Sequence, residues 1–184
     1  MGNFVTSTNK ILEAIGGAKT IGVNGLDCAG KTTFAHALVA AYEERAIESR
    51  LLHVDDFNDI SMQDQIYSAF SARNFSEELL EAYYTSSVDY DALGAAIKSE
   101  TMKTKGVLIV EGVFLFKPRL DHLFDYKIFI EIDAVKARAR YDERKARIGD
   151  KRRIEVFDQI WLPAFQRYCS EFSPMEKADF CVKA

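Results

Sequence analysis

The segment Gly25-Leu26-Asp27-Cys28-Ala29-Gly30-Lys31-Thr32 constrains the fold of this chain more than any other. An apolar stretch, Thr20 to Asn24, runs into it, and a helical pattern starts at Thr33 directly after it. The spacing is G-x-x-x-x-G-K-[ST], a phosphate-binding loop, in the strand-to-helix setting that such a match requires. Glycine at 25 and 30 lets the backbone curl so that successive N–H groups point inward at phosphate oxygens. The positive end of the following helix adds to the attraction for anions. Lys31 has the reach for β- and γ-phosphates, and the Thr32 hydroxyl is placed to ligate Mg²⁺. Asp27, Cys28, Ala29 and Thr33 complete the candidate cradle. The plain alternative is a glycine-rich turn capping an ordinary helix, but four fixed positions with the right flanks argue for a bound nucleoside triphosphate.

The rest of the chain alternates strand-like and helix-like stretches. Ile11, Leu12 and Ile15 mark a short amphipathic helix that ends at Gly16-Gly17. Phe34, Leu38 and Tyr42 recur at spacing four, the core stripe of the helix after the loop. A second strand, Arg50 to Val54, ends in Asp55-Asp56-Phe57, and residues 62 to 100 read as helices joined by polar turns. Gly106 to Glu111 is a continuous apolar run of the kind buried on both faces of a parallel sheet. Tyr126 to Ile132 reads as a fourth strand and Ala178 to Lys183 as a closing one. Between them lie a basic helix from about 134 to 147 and a long helix around Ile154 to Glu171, interrupted at Pro163. Five strands separated by helices predict an α/β fold, a doubly wound five-stranded parallel sheet. With 184 residues and no linker-like tract, a single domain over 1–184 is expected.

In such sheets ligands gather at the carboxyl ends of the strands, and the chemistry-bearing residues fall there. Asp55 follows the second strand, where a carboxylate can orient or deprotonate an attacking hydroxyl and contact Mg²⁺. Its alternative is a turn or cap, which Asp also favours. Glu111 closes the third strand, and a carboxylate at the end of a buried run needs a cation, a hydrogen bond or water to satisfy it. Thr32, Asp55 and Glu111 are therefore the candidate metal-side residues. In the basic helix, Arg140, Arg144, Arg147 and Lys151 share one face, with Arg138 nearby. A solvated charged face is the default explanation for such a run. The position of the helix on the ligand side of the sheet suggests instead a lid over residues 136–153 that neutralises charge in phosphoryl transfer. The stretch Tyr83 to Asp91 combines aromatics with carboxylates, so Tyr84 and Asp89 are candidates for stacking a ring and gripping a diol. The alternative is core packing and a helix cap. His36, His53 and His122 have no metal-ligand spacing and read as structural or exposed.

A formal net charge of −4 offers no global attraction to nucleic acid. No apolar run is long enough to span a membrane, and no secretory signal is evident, so neither nucleic acid nor membrane is an expected partner. Three widely spaced cysteines (Cys28, Cys169, Cys181) suit free thiols in a reducing cytoplasm. Oligomeric state is not legible.

The loop Gly25 to Thr32, the block Val54-Asp55-Asp56-Phe57, the block Leu108 to Gly112, the arginine-rich helix and Ala178-Asp179-Phe180 together resemble the uridine kinase family of P-loop kinases. That family includes the nicotinamide riboside kinases, pantothenate kinase and phosphoribulokinase. The resemblance implies an enzyme that moves the γ-phosphoryl of ATP, with Mg²⁺, to a hydroxyl of a small molecule, the 5′-hydroxyl of a nucleoside such as uridine or cytidine being the leading acceptor. It implies Asp55 as base and Lys31 and Arg144 as groups on the transferring phosphoryl. It further implies Glu111 beside Mg²⁺, Asp89 as the carboxylate gripping a ribose diol, and Arg140 and Arg147 in the lid toward the nucleotide; Phe57, Tyr84 and Arg138 are further acceptor candidates, with the acceptor region at about 57–100. Two blocks depart from the family pattern. Val88-Asp89-Tyr90-Asp91 stands where Asp-His-Pro is common, and Arg144-Lys145-Ala146-Arg147 replaces an Arg-Gly-Arg lid sequence. Both fall where the acceptor is read, which leaves nicotinamide riboside, pantothenate or another small molecule open. A GTPase-type switch would need an Asn-Lys-x-Asp strand end, and the only Asn-Lys, Asn9-Lys10, precedes the loop.

Overall fold

The apolar runs Thr20–Gly25 (β1) and Val107–Gly112 (β3) are buried along their whole lengths, which only the centre of a covered parallel sheet allows. The computed structural model describes residues 11–72, 75–149 and 154–184. β1 pairs on one side with β3 and on the other with β4 (Tyr126–Glu131). Ser49–His53 (β2) and Phe180–Lys183 (β5) close the two edges, giving the all-parallel order β2-β3-β1-β4-β5. The predicted doubly wound five-stranded sheet is the one observed, and β3 lies beside the loop-bearing strand as its composition implies.

Helices cover both faces. A helix at 11–15 (α1) and Lys31–Glu43 (α2) pack on one face, where Ile11, Phe34 and Leu38 meet Ile21, Val23, Ile109 and Ile130. The opposite face carries Leu108, Val110 and Phe129. Against it pack Tyr90–Lys103 (α5), the segment 113–120 and Leu162–Phe172 (α7). Ile60–Ala72 (α3) and Glu77–Ser86 (α4) form an outer layer, in which Met62 and Ile66 pack on Val156 and Ile160. Ala134–Ile148 (α6) follows β4 and ends at Gly149, which adopts the left-handed conformation common at helix ends. Among the described residues no helix is long and apolar enough to cross a membrane.

Two local predictions are corrected. The second strand stops at His53, and Val54–Phe57 forms a 3₁₀ turn, so Asp55 stands in a turn rather than on a strand end. Gly112 makes this turn fit: a Cβ there would lie 2.3 Å from Val54 Cγ2. The long helix is not broken at Pro163. A π-helical turn, Phe157–Trp161, precedes α7 and places Pro163 in the first turn of that helix. The wider turn accommodates the missing N–H and the ring of proline, which an unmodified helix interior would not. Lys151, Arg152 and Arg153 of the expected lid lie outside the described residues.

Tyr168 ties the sheet to α7. Its fully buried hydroxyl accepts hydrogen bonds from Asn24 Nδ2 at 2.8 Å and from the Phe116 backbone N–H at 2.9 Å. Tyr168→Phe orphans both donors, so urea denaturation is expected to show a loss of about 1–3 kcal/mol. An unchanged midpoint would show that water replaces the hydroxyl.

Candidate functional site at the carboxyl edge of the sheet

The loop between β1 and α2 turns through two left-handed residues, Cys28 (φ 61°) and Gly30 (φ 97°). Gly30 opens α2, which begins at Lys31 with no side-chain cap, so the first N–H groups of the helix face the loop. Lys31 is only 8% exposed, and its ammonium donates to the Leu26 carbonyl at 3.0 Å. Thr32 donates its hydroxyl to Glu111 Oε1 at 3.0 Å.

Strand register explains Glu111. It pairs with Val23 on one side and with His53 on the other, so Glu111 and His53 project from the same face of neighbouring strands, the face that α2 covers. His53 Nδ1 lies 2.6 Å from the same Glu111 Oε1. Glu111 is 6% exposed, so this hydroxyl and imidazole supply the partners that a buried carboxylate needs. His53, read from the sequence as structural or exposed, is thus part of the site. Only the parallel pairing reveals it, since 53 and 111 share no sequence motif.

α6 crosses the loop. Arg140 reaches the Cys28 and Ala29 carbonyls at 3.4 and 3.3 Å. Arg140, Arg144 and Arg147 line one cleft together with Lys31, Thr32, Thr33, Asp55 and Glu111, a space of about 700 Å³. The helical spacing of these arginines does put them on one face. Arg138 is not with them: it forms an ion pair with Asp158, with Nε 2.7 Å from Oδ1, and joins α6 to the π-helical turn. Tyr141 anchors the same helix by stacking on Phe157 and meeting Trp161 edge-on.

A second, smaller pocket of about 100 Å³ opens on the other side of Asp55. Asp27, Cys28, Asp55, Val113 and Arg144 border both spaces. The walls particular to the smaller pocket include Asn58, Asp59, Tyr67, Tyr83 and Trp161. Four of the residues expected to bind an acceptor are not among them: Arg138, paired with Asp158, and Phe57, Asp89 and Tyr84. Phe57 is half-buried against the core. Asp89 caps α5, accepting from the Asp91 and Ala92 backbone N–H groups at 3.1 and 2.9 Å. Tyr84 is buried on the far side of α4, with its hydroxyl donating to Glu171 at 2.6 Å. Its neighbour Tyr83 faces the pocket instead, because adjacent helical residues point about 100° apart. The composition of 83–91 does not say which of the two tyrosines faces the pocket.

Beneath Tyr84 lies Lys117, 9% exposed, donating to the Tyr84 carbonyl at 2.6 Å with its ammonium 3.8 Å from the Tyr84 ring centroid. The rings of Phe114 and Tyr90 also face it. Burial pushes this lysine from 10.5 down to about 8, while Glu171 and the aromatic faces favour the charged form. A depressed lysine binds fewer protons folded than unfolded between these values, so stability is lost as pH falls from about 10.5 to about 8. Chemical denaturation of wild type against Lys117→Met across that window should show the gap shifting in favour of wild type as pH rises. A pH-independent gap would refute the assignment.

Cys28 is no reactive thiolate. Burial raises its pKa, Asp27 adds to the rise, and Arg144 and Lys31 only oppose it. All three cysteines are unpaired.

The donor chemistry suits a hard divalent cation carried by a triphosphate. Thr32, Glu111 and Asp55 offer oxygen ligands on one cleft. Among the described residues no group of three or more His, Cys, Asp or Glu side chains forms a cage of its own. Mg²⁺ fits that pattern, since it is usually held by one or two protein groups plus phosphates and water.

No protein-family model and no curated protein sequence matches the chain. Solved structures do. One, described as a possible uridine kinase from Bacillus stearothermophilus, superposes with a TM-score of 0.67 at 18% identity, covering 97% of this chain and 96% of that one. Another, provisionally named a fructose transport system kinase from Silicibacter sp. TM1040, gives 0.68 at 15% identity, with 97% and 98% covered. TT1252 from Thermus thermophilus gives 0.51 at 16% identity. At these identities the likeness concerns the fold, and it spans nearly the whole chain. The parallel sheet order, the loop between β1 and α2 and these superpositions make this a P-loop kinase-like α/β fold.

Proposed function

We propose that this protein is an ATP-dependent, Mg²⁺-requiring kinase that phosphorylates a hydroxyl of a small molecule, with the 5′-hydroxyl of a nucleoside as the leading acceptor. The observation that carries the reading is the position of Asp55 and Arg144 on the shared border of two spaces, one lined by the phosphate-binding loop and one by aromatic and polar side chains. A hydrolase or a nucleotide switch has no need of the second space.

In this reading the loop N–H groups and Lys31 hold the β- and γ-phosphates, and Thr32 and Glu111 hold the metal side with Asp55. Held by Thr32, Glu111 and Asp55, Mg²⁺ would supply positive charge to offset that of the triphosphate. The acceptor hydroxyl, seated in the smaller pocket, gives its proton to an Asp55 carboxylate oxygen. Its oxygen bonds to the γ-phosphorus as the bond to the ADP oxygen breaks, and Arg144 lies beside that path. Arg140 and Arg147 approach the nucleotide from α6. His53 orients Glu111 rather than touching substrate.

ADP release, followed by a coupled assay with Mg-ATP and a panel of uridine, cytidine, nicotinamide riboside, pantothenate and fructose, tests the proposal. Acceptor-dependent ADP release supports it. Turnover that no acceptor stimulates overturns it in favour of a nucleotide hydrolase or silent binder.

A further inference from the structure

Ser87, at the end of α4, borders the smaller pocket and is 6% exposed. Both of its backbone groups are committed. Its N–H donates to the Tyr83 carbonyl at 3.0 Å, and its carbonyl accepts from the Asp59 N–H at 2.9 Å. The next residue, Val88, forms an antiparallel bridge with Asn58, so the Ser87 backbone is held from two directions. Its hydroxyl, by contrast, is buried without a hydrogen-bond partner. A buried orphan hydroxyl is costly, and beside a pocket a polar group entering that space can supply the missing partner. A serine side chain has three staggered positions about its one rotatable bond, one of which must present the Oγ to the space for a partner to reach it.

The other walls limit what that group can be. Asp27, Asp55 and Asp59 border the pocket against one guanidinium, Arg144. Asp59 is held below the usual carboxylate range by hydrogen bonds from Ser61 and from the Met62 N–H, so it stays ionised. An anionic group brought here would face a surplus of negative charge. Tyr83 and Trp161 add flat apolar surface suited to a ring.

Resting on the kinase reading above, we propose that Ser87 is a specificity-determining residue of the acceptor pocket. It exchanges a hydrogen bond with an uncharged polar group of a ring-bearing acceptor, at a point away from the hydroxyl that is phosphorylated. Discrimination by such a group is strong because a molecule lacking the partner leaves the buried hydroxyl unsatisfied.

The test measures steady-state kinetics and the melting temperature of wild type and Ser87→Ala, using whichever of uridine, nicotinamide riboside, pantothenate and fructose the wild type phosphorylates best. The acceptor KM should rise about 2- to 12-fold, the worth of one net hydrogen bond, while the KM for ATP stays unchanged. Without acceptor the variant should melt at or above the wild-type temperature, because it loses an orphan and no bond. An unchanged acceptor KM overturns the proposal, and so does a lower melting temperature, which would mean that the hydroxyl serves the fold. Pantothenate as the preferred acceptor overturns it as well, since that molecule carries a carboxylate. A wild-type protein inactive on every acceptor removes the kinase reading and this inference together, an outcome distinct from an active enzyme indifferent to Ser87.

Discussion

Asp55→Asn should lower kcat for acceptor phosphorylation by about 10²- to 10⁴-fold, the usual worth of a positioned general base. Asp55 is exposed in the 3₁₀ turn after β2 and borders both the loop cleft and the smaller pocket. Asparagine keeps the size and most of the hydrogen bonding but cannot take up the proton of the attacking hydroxyl. Asn58, which approaches Asp55 Oδ1 at 3.4 Å, tolerates the exchange because an amide oxygen also accepts. Nucleotide binding should persist, and a thermal shift with Mg-ATP measures it, since a ligand bound only by the folded state raises the melting temperature. Full turnover in a variant that binds ATP would remove Asp55 from the role of base.

Lys31→Met should cost about 10²- to 10³-fold in kcat, comparable to the loss of one preorganised electrostatic donor at a developing charge. In the structure the ammonium rests on the Leu26 carbonyl at 3.0 Å, a partner that phosphate oxygens would replace. Methionine matches the length of the lysine stem and fills the same buried space without the charge. The ligand-free melting temperature should therefore change little, because relief of a buried cation offsets an orphaned carbonyl. The Mg-ATP shift should shrink at the same time. A variant that melts as wild type and turns over as wild type would show that α2 and the loop N–H groups suffice. If Asp55 acts on the acceptor and Lys31 on the donor, as proposed, the two variants should fail in different assays: Asp55→Asn in turnover alone, Lys31→Met in turnover and nucleotide binding.

The loop side of the cleft was readable from the chain because its parts are consecutive. Residues 25 to 33 carry their own geometry, a strand, a glycine turn and a helix start, and the turn matches the motif spacing. The arginines of α6 were readable for a similar reason, since helical period alone places 140, 144 and 147 together. The smaller pocket was not. Tyr83, Asn58, Asp59, Ser87 and Trp161 come from a turn, the outer helix α4 and the π-helical turn before α7, and no local pattern joins them. Composition does not say which way a side chain points, and the structure turns Arg138 to Asp158 and Tyr84 to Glu171 rather than into the smaller pocket.

Sequence by itself determined the class of fold and the phosphate-binding loop, since period and spacing act over a few residues and survive any packing. Only the tertiary structure brought His53 to Glu111, seated Val54 against Gly112 so that Asp55 borders two spaces, and left the Ser87 hydroxyl alone at a pocket wall. Those facts depend on parallel register and on helices meeting across dozens of residues. There the burial of one side chain is decided by others far away in the chain.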